Sequence, residues 1–576
     1  MSVPGKRRWG WPACRRLTWQ RAVLWTLVLV LTIAVAVFDP RDWPYTVGDE
    51  GVYSMQAQSL AFDFDRRYEA SDYRRYLDTT GKVPDPLILQ STDRGATLVY
   101  AKPAFYSVYL APFVRFAPER GPIVANLLLL IFAALLLECL LFERVGADGP
   151  LVAAFLLFFS VTFGHVFWVH ADLFYLVVTA MGLCCLDPWF EGVRPPPGRL
   201  AAGGGLLAVA GAGRPFYLAV LAAVLLAAAP TLRRSWGRRS AAIVLGSAIV
   251  LLAGAAWFHL ASGGAWSPYV GERQGFSSAT GYPDIDFDRE GWAELLAARG
   301  DASWVREDFL LPSFDAALLG HNVVYAFLGR SVGIVPYFLP LVLACLCLRP
   351  GSRRRWLLVA IALGLAAFLV KSPHNFYGGA GAIANRWFLP LYPVCWFLVE
   401  RPPPRRWLLA SSLVAALFVA PQWRSAASFP VVIDPDTGSR QLRYVSPAAK
   451  RLLPLETSQI HLSSAPADIQ HGDLRVRLIG AGVWPHGEGG IRFRPGTDGE
   501  MLIGSPVPLA GLTVDLVPVE ANGGEATRVV LERPRRIARH TYWYGGIPLN
   551  YYRLELPGIP MVGEREVLLQ PEFRWD

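Results

Sequence analysis

Long apolar runs separated by polar connections dominate this chain from residue 22 to residue 421. They fall at 22–38, 104–117, 122–142, 150–168, 171–188, 201–229, 240–262, 332–348, 356–370, 386–399 and 407–421. Most approach the roughly 20 residues that a helix needs to cross a bilayer, which predicts a polytopic α-helical membrane protein. The run at 104–117 is short and reads as a partial or interfacial helix, whereas Arg214-Pro215 splits 201–229 into two spans. The total is about 11 transmembrane helices. After residue 421 the period changes. Short alternating segments such as Leu474-Arg-Val-Arg-Leu-Ile, Ile491-Arg-Phe-Arg, Leu512-Thr-Val-Asp-Leu-Val and Tyr552-Arg-Leu-Glu-Leu are set apart by Gly, Pro and Asn turns. That spacing predicts a β-sandwich over 422–576.

Charge gives the pattern its sidedness. The formal net charge is +9 and the mean hydropathy +0.32, yet the arginines are clumped between apolar runs: Arg233, Arg234, Arg238 and Arg239; Arg349 with Arg353 to Arg355; and Arg401, Arg405 and Arg406. Such clusters mark the cytoplasmic face and leave no extended basic surface for nucleic acid. Residues 1–21 form a basic cytoplasmic tail ahead of a first span that no small-residue cleavage site follows. An odd number of spans then places the loops 39–103 and 263–331, and the β-rich C-terminal domain, on the extracytoplasmic side of a bacterial inner membrane. The seven cysteines lie in the tail or in apolar runs, which suggests neither a disulfide framework nor a CxxC metal site. No cofactor is expected, and a divalent metal is not indicated.

With that topology the polar residues gather at one face. The first loop carries Asp49 and Glu50, and later Asp63 and Asp65; Lys102, His165, His170, Asp172, Arg214, Tyr217, His374, Asn375 and Arg386 follow on the same side. A carboxylate among several cations suits transfer from a lipid-phosphate donor, because a base must deprotonate the acceptor hydroxyl while Lys or Arg holds the phosphate leaving group. A plainer reading makes Asp49 the N-cap of a helix over 52–62, with Glu50 in its acidic first turn. Lys102 likewise fits an interfacial anchor, and Asp63-Phe64-Asp65 fits solvated acids at a helix end. The triplet Asp284, Asp286 and Asp288 reads as a solvated loop, since the Gly and Glu of a calcium loop are missing. An amphipathic helical stretch is expected at 289–299.

The stretch GDEGVYSMQAQSLAFDFD after the first span, the Lys102-Pro103-Ala-Phe-Tyr106 opening of the next run, the Gly213-Arg214-Pro215 break and the segment from Tyr377 to Pro390 together resemble polyprenyl-phosphate-sugar glycosyltransferases of the GT-C superfamily. Protein O-mannosyltransferases and lipid A aminoarabinose transferases are its best-known members. The resemblance implies an inverting transfer to a glycan, lipid or protein acceptor, with Asp49 as base and Glu50 as its alternate. It also implies donor-phosphate contacts from Lys102, Arg214 and Arg386, while His170, Asp172, Tyr217, His374 and Asn375 would line the substrate pocket. A lipid-linked glycan transporter, or a non-catalytic envelope scaffold with a glycan-binding sandwich, would use the same cationic face without chemistry.

Overall fold

The structure is a computed structural model that describes residues 18–40, 49–93, 95–270, 272–278, 280–289, 316–378, 383–424, 445–458 and, in the C-terminal region, 469–471, 474–479, 483–486, 490–493, 499–518, 527–532, 535–541, 548–556 and 567–575. The basic tail before residue 18 and the expected helix at 290–299 lie outside the described residues.

The first helix, α1 (Trp19–Val37), starts at Thr18, whose hydroxyl accepts the Arg21 amide, as N-cap hydroxyls do. After it come α2 (Glu50–Phe62), α3 (Ala70–Thr80), α4 (Ala104–Phe116), α5 (Gly121–Val145), α6 (Gly149–Phe158), α7 (Asp172–Phe190), α8 (Pro197–Gly213), α9 (Leu218–Ala228) and α10 (Ser235–Gly263). The later helices are α11 (Ala316–Leu328), α12 (Ile334–Tyr337), α13 (Pro340–Leu346), α14 (Leu358–Lys371), α15 (Pro393–Leu398), α16 (Arg405–Arg424) and α17 (Pro447–Leu452). Among the described residues four helical stretches are long and apolar enough to cross a membrane: α1, the continuous Gly121–Phe158 pair, α7 and α10. Most of the other apolar runs fold as shorter helices, some interrupted by proline or by single 3-10 turns, as at Pro215 and Pro390, because proline donates no amide and cannot continue the hydrogen-bond ladder; the run 407–421 lies in the 20-residue α16. The most exposed of the four is α10, whose apolar window is only 11% buried.

The ends of these helices sort into two groups. Lys102 before α4, Asn126 on α5, His170 before α7, Arg214 after α8 and Arg386 all lie together, joined by contacts given below. At the opposite ends of α5 and α7, Arg144 pairs with Asp187 at 2.6 Å, and Arg354 reaches Asp187 and Glu400 at 2.8 Å each. Near the start of α4 Tyr106 donates to Asn126, and near its end Arg115 reaches the Ala61 carbonyl at the end of α2. Inside the bundle Arg21 Nε lies 2.6 Å from Glu138 and Trp25 Nε1 donates to the same carboxylate at 3.1 Å. A charge at that depth is tolerated only with such a partner.

A small antiparallel sheet covers the polar end, in the order β2 (Val99–Tyr100), β1 (Leu87–Ser91), β3 (Glu272–Phe276). Its tyrosine-rich core draws in Tyr68, Tyr76 and Tyr100. In the C-terminal region, β4 (Ile469–His471), β5 (Leu474–Ile479), β6 (Val483–His486), β7 (Gly490–Phe493), β8 (Gly499–Ser505), β9 (Gly511–Pro518), β10 (Thr527–Glu532), β11 (Arg536–Thr541), β12 (Pro548–Leu556) and β13 (Val567–Trp575) form two five-stranded antiparallel sheets. One runs β10-β9-β13-β7-β6 and the other β11-β12-β8-β5-β4. Leu474, Val476 and Ile503 from one sheet and Leu512, Val514 and Phe573 from the other share one apolar cluster. This region docks on the helices: Arg330 meets Glu500 at 2.8 Å, and Thr457 bridges Tyr325 and His540 at 3.0 and 2.8 Å.

Candidate functional site

The backbone places Asp49 at the N-cap of α2, yet its side chain makes no cap hydrogen bond. It turns away from the helix instead, with Lys102 Nζ 2.6 Å from Oδ1 and His170 Nε2 3.0 Å from Oδ2. Arg386 Nη2 stands 3.9 Å from the same oxygen. Burial alone would raise this carboxyl, but the nearby Lys102, His170 and Arg386 outweigh it and hold Asp49 well below the usual carboxylate range. For Lys102, only 8% exposed, burial prevails over the attraction of Asp49 and brings the ammonium down to about 8.

Each partner is fixed by its own scaffold. The Lys102 carbonyl accepts from Gln56 Nε2 at 3.2 Å and from Arg66 Nη2 at 3.4 Å, and Arg66 also holds the Tyr100 carbonyl and His259. Ser107 on α4 completes the link by donating to Gln56 Oε1 at 2.9 Å. Trp168 to His170 is held from two sides, by Asn126 Nδ2 on the Trp168 carbonyl at 2.7 Å and by Glu50 Oε1 on the Val169 amide at 3.1 Å. Glu50 thus serves the backbone beside His170. Arg386 Nη1 lies 2.8 Å from His170 Nε2. That nitrogen therefore faces both the Arg386 guanidinium and the Asp49 carboxylate, while Nδ1 faces Asp172 Oδ2 at 2.8 Å.

Arg386 begins a 3-10 turn that Asn385 caps by accepting the Phe388 amide. Its guanidinium lies over Trp168, and Arg214 lies over Trp387, with ring-centroid distances of 5.0 and 4.7 Å. Two glycines allow this approach. Gly378 has φ +105 and a Cβ there would strike the Arg386 side chain; a Cβ at Gly213 would strike the Tyr175 ring. Among the described residues the Arg214 guanidinium makes no ion pair or hydrogen bond, although Tyr269, Tyr217 and Asp172 are near enough to favour its charge. Around these two arginines Arg386 Nε, Trp168 Nε1, Trp387 Nε1 and the Tyr217 hydroxyl are buried donors with no acceptor among the described residues. Asp172 Oδ1 and the Tyr175 hydroxyl are likewise without a hydrogen-bond partner among the described residues, so the site holds unsatisfied acceptors as well as donors; its donors around the two arginines suit an anion rich in oxygen.

The structure brings Asp49, Lys102, His170, Asp172, Arg214, Tyr217 and Arg386 into one neighbourhood, with Glu50 behind it. His374 faces elsewhere, its Nδ1 3.2 Å from the Ser458 carbonyl of the C-terminal segment, and the adjacent Asn375 amide closes a turn onto Ser372. Asp63 is committed to Arg75 at 2.6 Å and Asp65 to Ser59 at 2.9 Å, so Asp63-Phe64-Asp65 serves the end of α2. Asp284 likewise pairs with Arg289, and Asp286 caps the Tyr282 amide. No group of three or more His, Cys, Asp or Glu among the described residues is placed to hold a metal ion.

Sequence reading missed Arg273, which donates to the Ala101 carbonyl at 3.2 Å beside Lys102 and lies over Tyr269. It also missed the supports Gln56, Arg66 and Asn126. Asn126 carries a visible signal, the one amide side chain in the apolar run 122–142; Arg273 carries none, because only the β1–β3 pairing brings it to the site. Comparisons of the chain with family models, curated proteins and solved structures returned no match.

Proposed function

We propose that the protein is a membrane glycosyltransferase of GT-C type, which moves a sugar from a polyprenyl-phosphate donor to a glycan, lipid or protein acceptor in the cell envelope. One observation carries this reading. A buried carboxylate, Asp49, is clamped between Lys102 and His170, in the same neighbourhood as an arginine, Arg214, that makes no ion pair among the described residues. A transferase with a lipid-phosphate donor needs a base and a cationic phosphate seat side by side, and no nucleotide-binding fold.

In the proposed step the acceptor hydroxyl oxygen attacks the anomeric carbon as its proton passes to an oxygen of Asp49. The bond from that carbon to the phosphate oxygen breaks, and the phosphate leaves with the electron pair, inverting the configuration. The polyprenyl phosphate released carries one more negative charge than the donor, so cations around it stabilise the transition state more than the ground state. Arg214, Arg386 and the Tyr217 hydroxyl are the proposed phosphate seat. Lys102 is committed to Asp49 at 2.6 Å. The proposed donor phosphate draws it away, which frees Oδ1 and raises the basicity of the carboxylate just when the proton must be taken.

We read the helical region as eleven traverses, counting the proline-broken apolar runs beside the four long helices. The paired C-terminal sheets are read as a sandwich on the extracytoplasmic side of a bacterial inner membrane. The arginine clusters at one end and the polar cluster at the other support that orientation. The test is transfer from a defined polyprenyl-phosphate sugar in proteoliposomes. Covalent transfer supports the reading; movement of the intact lipid-linked sugar between leaflets without transfer would make the protein a transporter.

A further inference from the structure

The segment that leads into the C-terminal sheets, Pro454 to Ser458, touches both flanks of the stretch that ends in Arg386. Glu456 is 2% exposed, and its Oε1 accepts the Ser331 and Val332 amides at 2.6 and 2.9 Å. One residue earlier, the Arg330 amide donates to the Pro454 carbonyl at 3.0 Å. The Ser331 carbonyl in turn accepts the Ala384 amide at 2.6 Å, two residues before Arg386. Ala384 has φ +70, a conformation that a non-glycine residue keeps only where its surroundings enforce it. On the other flank the Ser458 hydroxyl donates to Asn322 at 2.5 Å, Asn322 donates to the Pro373 carbonyl at 2.6 Å, and His374 meets the Ser458 carbonyl.

We infer that Glu456 is a positioning residue: through Ser331 and Ala384 it sets the place of the Arg386 guanidinium against Asp49 and His170, so that docking of the C-terminal region completes the site. The inference rests on the proposed transfer for its kinetic consequence but not for its structural one. A carboxylate that accepts two adjacent backbone amides fixes the direction of the Ser331 carbonyl, and that carbonyl is what holds Ala384 in its strained geometry. Without Glu456 the two buried amides lose their acceptor, and the turn at 329–333 has no reason to keep aiming at Ala384. The buried Oε2 has no partner among the described residues. Glutamine can therefore replace glutamate with Oε1 still accepting both amides.

The experiment compares Glu456→Ala, Glu456→Gln and Arg386→Ala in the full-length protein, by transfer kinetics and by hydrogen exchange at the Ala384, Arg386 and Phe388 amides. Glu456→Ala should lower kcat/KM for the polyprenyl-phosphate sugar by ~10- to 100-fold, the upper figure being what a misplacement of about 1 Å can cost. It should add less than about twofold when Arg386 is already alanine, because the two act on one interaction. Glu456→Gln should restore most of the rate. Hydrogen exchange of the three amides should rise in Glu456→Ala and stay near wild type in Glu456→Gln. Losses that multiply in the double variant, or unchanged exchange in Glu456→Ala, would overturn the inference. If wild type transfers no sugar, the function fails while the exchange result still decides the positioning role. If Glu456→Ala does not fold, Asn322→Ala opens the other flank and must raise exchange at the same amides.

Discussion

Lys102 Nζ lies 2.6 Å from Asp49 Oδ1, and this pair joins the end of the first polar connection to the start of α4. Two stretches more than fifty residues apart thereby become one site. The pair also explains why Asp49 is no helix cap although it holds the N-cap position: a buried ammonium offers a stronger contact than the amides of the first turn.

Replacing Lys102 with methionine should separate its two proposed effects. Transfer should fall by about 10- to 100-fold, the range for losing a hydrogen bond to a charged group, because the donor phosphate loses a cation. Asp49 should meanwhile regain basicity. Rates measured at saturating donor should therefore fall less than kcat/KM, and kinetics over a range of donor concentrations check this.

The pH dependence follows from the same two groups. Asp49 is held well below the usual carboxylate range, so kcat/KM should show no acid limb down to about pH 5. It should fall as pH rises through about 8, where Lys102 loses its proton. Folding does not account for that limb. The folded value for Lys102 lies below its ordinary 10.5, so between the two the unfolded chain binds more protons and stability from this group rises with pH. Thermal unfolding over the same interval distinguishes loss of function from loss of fold.

Arg214 should matter for donor affinity. Arg214→Ala should raise the KM for donor by about 10- to 100-fold, with a smaller change at saturation. Arg214→Lys should recover little, since an ammonium does not reproduce the planar stacking on Trp387 or bidentate contact with a phosphate.

In the bundle, Glu138→Ala should leave the Arg21 guanidinium without its acid and cost about 3–5 kcal/mol. Pairing it with Arg21→Leu should return most of that stability, because the uncompensated charge is then gone. Melting of the four proteins in one detergent checks the cycle.

Much of this architecture was legible in the sequence. The apolar runs located the helices, and the short run at 104–117 is matched by a short helix, Ala104–Phe116. The alternating segments matched the strands Leu474–Ile479 and Gly511–Pro518 nearly to the residue and caught the second half of Pro548–Leu556. Helix length was less legible: against about 11 expected spans, four helical stretches among the described residues meet the length and composition of a crossing helix, one of them continuing from the run 122–142 into the run 150–168. Of the polar cluster, Asp49 and Arg214 stood out because charge at the edge of an apolar run is costly without a partner, whereas Lys102 and Arg386 came from the resemblance. The pairings themselves were not legible. Nothing in the order of residues announces that Glu50 holds Val169, that His374 turns to Ser458, or that strand pairing brings Arg273 beside Lys102, since each contact depends on packing between distant elements.

The central claim is that Asp49 takes the acceptor proton while the neighbouring cations hold the departing phosphate. Single-turnover transfer from a polyprenyl-phosphate sugar, compared between wild type and Asp49→Asn at saturating donor, tests it most directly. The amide keeps the shape and removes the base, so the rate should drop by about 100-fold or more while donor binding stays within a few-fold. Unchanged turnover in Asp49→Asn would contradict the claim.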